Sequence, residues 1–194
     1  MKKIICSLLC LLPISAMAGG VNEDFASRHR FYIGGTYNLS WWEDYATDTE
    51  LARGKTEYGF DALVGARLFN TFRLEADYMH SRAKWDVFTI DTDTVFFNAI
   101  VDARIDELYR YNQHIVPYIG VGTGITWYDS KDVETKNDMN VSLAALAGIG
   151  FELGEYFALD IGYRYIYMFK PNVDTMPELN PSAHQVRAGA RINF

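Results

Sequence analysis

The residues of this chain best suited by type to acyl-transfer chemistry are His80 beside Ser81, and Ser182 close to His184. A serine hydroxyl becomes a nucleophile when an imidazole takes its proton, which requires both side chains within hydrogen-bond reach. Adjacent residues of an extended strand point to opposite faces, and this separates His80 from Ser81. His29 and His114 have no obvious partner. No triad can be assembled, and no catalytic residue is assigned.

Asp91 and Asp93 in one stretch, with Asp129, Asp132 and Asp138 in another, offer the oxygen ligands that a divalent cation takes. Such aspartates are more often simply hydrated, so no metal is assigned. Gly120, Gly122 and Gly124 look superficially like a phosphate-binding loop, yet they alternate within a strand pattern with no helix after them. Inward glycines that make room for bulky or charged neighbours account for them better. No cofactor is expected.

The N-terminus carries Lys2 and Lys3, an apolar run from Ile4 to Ile14, and the triplet Ala16-Met17-Ala18. Those are the parts of a secretory signal peptide cleaved after Ala18. The run is too short for a stable bilayer anchor. Cys6 and Cys10 follow Ile5 and Leu9, where a lipoprotein site needs a small residue, and both fall in the removed segment. Cysteine chemistry is therefore not expected of the mature protein. Losing Lys2 and Lys3 takes the formal net charge from −7 to −9, which argues against a nucleic-acid partner.

The elements that must position the remaining charged residues have a period of two, which is the signature of strands. From Phe31 to Trp42 one face carries Phe31, Ile33, Gly35, Tyr37, Leu39 and Trp41, against Tyr32, Gly34, Thr36, Asn38 and Ser40. The alternation returns in Glu57 to Leu68, Phe72 to Met79, Val95 to Ala103, Tyr118 to Tyr128, Val141 to Leu153, Phe157 to Phe169 and His184 to Phe194. Eight strands are predicted. Long polar connections (Glu43 to Thr56, Arg82 to Thr94, Asp129 to Asn140, Lys170 to Ala183) alternate with tight ones (Phe69 to Thr71, Gly154 to Tyr156). In an antiparallel meander, that sorts long loops to one rim and short turns to the other, as in an outer-membrane barrel. The connection Arg104 to His114 departs from the rule, being long where a short turn is due.

Alternation alone does not say which face points inward. The polar faces gather Asp61, Arg67, Arg73, Glu75, Asp77, Glu152, Asp160, Arg164, Arg187 and Arg191. Both signs occur at mid-strand, which suits a narrow interior with paired ions, and an eight-stranded barrel is just wide enough to be filled by side chains. Trp41, Trp42, Trp85 and Trp127 fall near the long-loop rim; Phe31, Tyr32, Phe72, Tyr118 and Phe157 fall near the other. Two aromatic girdles are what a membrane barrel requires at its two interfaces. The predicted fold class is therefore all-β: an eight-stranded antiparallel up-and-down transmembrane β-barrel with long extracellular loops and short periplasmic turns. Its parts are a signal peptide (1–18), a periplasmic N-terminal segment (19–30) and the barrel (31–194).

Three stretches, Pro117 to Gly124, Ala158 to Tyr165 and Gln185 to Phe194, resemble the opacity-type and outer-membrane-protein-A-like eight-stranded barrels of Gram-negative bacteria. The resemblance spans essentially the whole mature chain. It implies that Phe194, an aromatic residue at the end of the final strand, is the signal read by the outer-membrane assembly machinery. It also implies a non-enzymatic surface barrel in contact with outer-membrane lipid and lipopolysaccharide, whose loops serve adhesion, envelope integrity or host interaction. The cell-wall-binding domain that follows the barrel in some relatives is not carried over. Two rivals remain at this level: an outer-membrane enzyme acting on lipid A or phospholipid, and a soluble periplasmic ligand-binding barrel with an apolar lumen.

Overall fold

The computed structural model describes residues 30–46, 51–69, 71–85, 89–103, 115–129, 139–154, 156–169 and 181–194. The strands are β1 (Phe31–Trp42), β2 (Tyr45–Ala46), β3 (Leu51–Ala52), β4 (Thr56–Phe69), β5 (Phe72–Lys84), β6 (Thr89–Asp102), β7 (Ile115–Asp129), β8 (Met139–Glu152), β9 (Phe157–Met168) and β10 (Ser182–Asn193). Eight of them close an all-antiparallel barrel in the order β1-β10-β9-β8-β7-β6-β5-β4, while β2 and β3 form a small separate hairpin. Each barrel strand pairs with its sequence neighbours, and the seam is closed by β1 against β10, from Tyr32↔Asn193 to Trp42↔Ala183. Closure leaves no unpaired sheet edge, the condition for a sheet surrounded by lipid.

Alternating side chains face the two environments. Ile33, Val64, Phe97, Ile119, Val121 and Ile161 stand exposed on the outer wall, whereas Asp61, Asp77, Arg164 and Arg187 are buried within it. That is the inverse of a soluble ligand-binding barrel. The aliphatic surface faces outward because hydrocarbon is the solvent there, and the charges face one another.

Three features of the ladder differ from expectation. The stretch Arg82 to Thr94, expected as a long loop, is mostly strand: Arg82↔Asp91, Ala83↔Ile90 and Lys84↔Thr89 continue the β5–β6 pairing. Alternation fades there because Arg82, Asp91 and Asp93 occupy the outward positions. A polar outward face marks where the wall leaves the apolar zone, not where the ladder ends. The connection 43–55 likewise contains the β2–β3 hairpin, tied down by Gly54 N donating to Asp44 Oδ1 at 2.9 Å and by a bridge between Gly54 and Trp85. Finally, the interior is polar only in part, as described below. At the short-turn rim, Gly154 adopts φ +101°, a left-handed conformation open to glycine, where β8 turns into β9. The connection 104–114 lies outside the described residues.

Candidate functional site

Interior side chains form three layers. At the long-loop end lies an apolar plug: Trp42 and Trp85 pack at 5.6 Å between ring centroids, above Ala83, Ile90, Met168 and Ala183. Each indole N–H is satisfied by the chain carrying the other, Trp42 Nε1 donating to Arg82 O at 3.0 Å and Trp85 Nε1 to Glu43 O at 3.1 Å. Met79, Phe96, Leu146 and Ile166 extend this cluster downward.

The middle layer is a lattice of two arginines and two aspartates. Arg164 Nη1 donates to Asp77 Oδ2 at 2.8 Å and its Nη2 to Asp61 Oδ1 at 3.2 Å. Arg187 Nε donates to Asp61 Oδ2 at 2.8 Å and its Nη2 to Asp77 Oδ2 at 3.0 Å. Thr36 Oγ1 and Asn38 Nδ2 donate to the Asp61 carboxylate at 2.7 and 2.9 Å. The remaining Arg164 donor, Nε, goes to Gln185 Oε1 at 2.7 Å, and its guanidinium lies over the Phe96 ring at 5.2 Å. Burying charge is costly unless it is paired and hydrogen-bonded; each of these four charges is paired and hydrogen-bonded, Asp77 through Oδ2 alone, its Oδ1 being buried without a hydrogen-bond partner.

The third layer, toward the short-turn rim, is built around two aromatic rings. Arg73 lies 4.8 Å from the Tyr118 centroid and 5.9 Å from that of Tyr32, and its Nε donates to Asp102 Oδ1 at 3.1 Å. Tyr32 OH donates to Glu75 Oε2 at 3.1 Å. Arg191 forks onto Asp160, with Nη2 to Oδ1 at 3.1 Å. Arg67 pairs with Glu152 at 3.0 Å nearer the rim. A cavity of about 20 Å³ between the middle and third layers touches Thr36, Leu63, Tyr118, Asp160 and Gly162, and that volume holds about one water. Large inward side chains sit opposite glycines of the next strand, as in Phe96↔Gly124, Asn98↔Gly122 and Ile100↔Gly120. Tyr118 is accommodated twice, by Gly148 and then Gly162.

The charged residues singled out from sequence all stand on the inner wall. Sequence reasoning missed their company: Asp102, Asn38 and Gln185 complete the bonding, and Tyr32 and Tyr118 cover the arginines. Four aromatic assignments require correction. Trp42 and Trp85 are 4% and 2% exposed, and so belong to the plug and not to an outer girdle. Tyr118 lies against Arg73 within the lumen, as does Tyr32, which is 1% exposed. The signal was present in the alternation: Trp42 shares parity with inward Ser40, and Tyr118 with inward Gly120. On the outer wall, Trp41 and Trp127 are exposed near the long-loop end, together with Tyr37, Tyr58, Tyr78 and Tyr163. Phe31, Phe157 and Phe194 are exposed at the opposite end, and Phe72 is partly exposed there. Phe31 and Phe194 stack at 6.5 Å and exchange both backbone hydrogen bonds across the seam.

The histidines on the outer wall are engaged. His80 Nδ1 lies 2.8 Å from Asp93 Oδ1, which also accepts from Tyr78 OH at 2.7 Å, while Ser81 is buried inside. Ser182 Oγ donates to Glu43 Oε2 at 2.6 Å, and His184 Nε2 lies 3.2 Å from Glu43 Oε1. The other ring nitrogen of His184 meets Tyr163 OH. Serine and histidine thus share a carboxylate without touching each other. Asp91 is bound to Arg82 at 2.7 Å; the side chain of Asp129, and the whole of Asp132 and Asp138, lie outside what is described.

A closed antiparallel barrel with an aliphatic exterior and an ion-paired interior is a membrane-spanning β-barrel. The profile of the outer membrane protein beta-barrel domain family matches residues 4–194, and the chain belongs to that family. It is an outer-membrane protein. Among solved structures, Neisserial surface protein A is similar, with 20% identity and a TM-score of 0.65 over 84% of this chain and 97% of that one. The N-terminal barrel of Pseudomonas aeruginosa OprF matches with 12% identity and a TM-score of 0.55, over 86% and 100% of the two chains. OprG of the same organism matches with 12% identity and a TM-score of 0.53, over 86% and 96%. At these identities the likeness concerns the fold. No curated protein sequence matches the chain.

Proposed function

We propose that this protein is a non-enzymatic surface barrel: a rigid, internally plugged wall whose long loops face the exterior and bind host or neighbouring surface molecules or support envelope integrity. The observation that carries this reading is the filled lumen. The Trp42–Trp85 plug and the Arg164, Arg187, Asp61 and Asp77 lattice lie one above the other across it. Conduction would have to break both layers, whereas loop recognition asks nothing of the lumen except rigidity.

In the same reading, residues 1–18 are removed on export and residues 19–30 lie in the periplasm. Trp41 and Trp127 mark the outer interface, and Phe31, Phe72 and Phe157 the inner one. Phe194, paired with Phe31 at the seam, is the group presented to the assembly machinery.

The test exchanges residues 130–138 and 170–180 for short glycine-serine connectors in cells expressing the protein. Folding is followed by heat-dependent gel mobility, binding by adherence to host cells, and envelope integrity by detergent sensitivity. A folded barrel that loses adherence or detergent resistance supports the proposal. Unchanged adherence and resistance, or an altered lipid A acyl pattern by mass spectrometry on expression of the unmodified protein, would overturn it.

A further inference from the structure

Glu43 directly follows the last residue of β1 and is bonded through both its backbone and its side chain. Its N donates to Ser182 O at 3.0 Å, and its O accepts from Trp85 Nε1 at 3.1 Å. The carboxylate takes the Ser182 hydroxyl on Oε2 at 2.6 Å and meets His184 Nε2 through Oε1 at 3.2 Å. One residue thus joins the start of the connection 43–55, the tryptophan plug and the first residues of β10.

His184 is the group at this junction whose charge changes near neutrality. Its Nδ1 meets Tyr163 OH, and its ring lies 5.1 Å from that of Tyr165. The His184 and Glu43 side chains are 45% and 47% exposed, so both exchange protons with bulk water. Other charges on the adjoining elements are engaged elsewhere. Asp44 accepts from Gly54 N, Arg82 is bound to Asp91, and Glu57 stands 3.9 Å from Lys84. Among the described residues, no arginine or lysine is paired with Glu43. The charge that answers its carboxylate is therefore the one His184 gains on protonation.

A second set of the same groups stands on the outer wall, where His80 Nδ1 and Tyr78 OH both reach Asp93. That contact lies within a ladder that runs on to Lys84↔Thr89, and the backbone on either side holds it in place. The Glu43–His184 contact stands instead at a ladder end. β1 stops at Trp42, opposite Ala183, and β10 begins at Ser182. Ladder ends are where strands open most readily, so a small change in one contact shows there. An imidazolium binds a carboxylate by a charge-assisted bond, stronger than the bond from a neutral ring.

We propose that His184 and Glu43 form a pH-sensitive latch at the long-loop end of the β1–β10 seam. With His184 charged and Glu43 ionised the latch is closed, and it holds Glu43 against Ser182 and against Trp85 of the plug. As pH rises through the range in which histidine loses its charge, between about pH 5 and 8, the ion pair becomes a plain hydrogen bond. The Glu43–Ser182 junction then opens more often, because proton uptake and closure favour each other. The latch acts on the chain where two long connections leave the barrel, whatever those connections bind.

The test follows hydrogen exchange at the Glu43 backbone N–H by NMR on the purified protein in detergent micelles. Each rate is compared with that of an unfolded peptide of the same local sequence at the same pH, which removes the intrinsic effect of pH on exchange. In the unmodified protein, protection should fall ~3-fold from about pH 5.5 to about pH 7.5, the size expected of one half-exposed ion pair. H184Q and E43Q, each shown to be folded by heat-dependent gel mobility, should give protection that stays constant over that range. H80Q should keep the whole fall. Constant protection in the unmodified protein would overturn the latch. So would an undiminished fall in H184Q or in E43Q, or the loss of the fall in H80Q. Should one of the two latch variants not fold, the other gives the same reading.

Discussion

Arg164 and Asp77 meet at 2.8 Å although 87 residues separate them, and their strands, β9 and β5, are not neighbours in the barrel. The bond crosses the lumen and ties opposite walls together. With Arg187 and Asp61 it forms the barrel's central brace.

Removing one member of this brace should be costly. Arg164→Met leaves Asp61 and Asp77 sharing Arg187 in a buried layer, and a loss of about 3–5 kcal/mol is expected. Asp77→Leu added to it should cost much less than the two single losses together, because the second change removes the stranded charge. Urea unfolding in lipid vesicles measures both. Losses that add to within about 0.5 kcal/mol would show that the two residues do not depend on each other.

The tryptophans divide by environment. Trp41 and Trp127, 40% and 39% exposed on the outer wall, should be quenched by brominated lipid, whereas Trp42 and Trp85, 4% and 2% exposed, should not. Single-tryptophan variants in bilayers separate the signals. Equal quenching of Trp85 and Trp127 would place Trp85 on the lipid side. Trp85→Ala should also cost about 3–5 kcal/mol through the void it leaves in the plug.

Tyr118 depends on Gly162. A Cβ at Gly162 would lie 2.5 Å from Tyr118 OH and 3.2 Å from Ala147 O. Gly162→Ala should therefore destabilise the barrel by about 1–3 kcal/mol through overpacking. Tyr118→Phe in the same chain removes the clashing oxygen and should restore most of the folded fraction on a heat-mobility gel. No rescue would mean that Tyr118 is not the obstacle.

Outward positions should respond to charge according to depth. Val64, exposed at mid-strand in β4, should lose about 2–4 kcal/mol on replacement by arginine, and Thr56 at the long-loop end about 0–1 kcal/mol. Equal costs in vesicle unfolding would contradict the outward assignment of Val64.

Strand number, the two faces of each strand and the order of connections were legible in the sequence because a period of two is local. Each residue's side of the sheet follows from that of its neighbour. Ile33 against Thr36, or Leu74 against Glu75, can be sorted without knowing what lies across the barrel. The same rule carried the inward placement of Trp42 and Tyr118, where expectation from residue type alone pointed outward. Strand ends were less legible. The β5–β6 ladder runs on past His80 and Asp93, where water replaces lipid and the apolar alternation stops while the hydrogen bonds continue.

What only the tertiary structure decided is which inward residues share a level. Closing the sheet staggers the strands, and that stagger is set by the whole ring rather than by any one segment. It brings Arg164 to Asp77 and stacks Trp42 on Trp85. It also gives Tyr118 the space left by two glycines on successive strands. Alternation assigns each of these side chains to the interior, but not to a height or a partner within it.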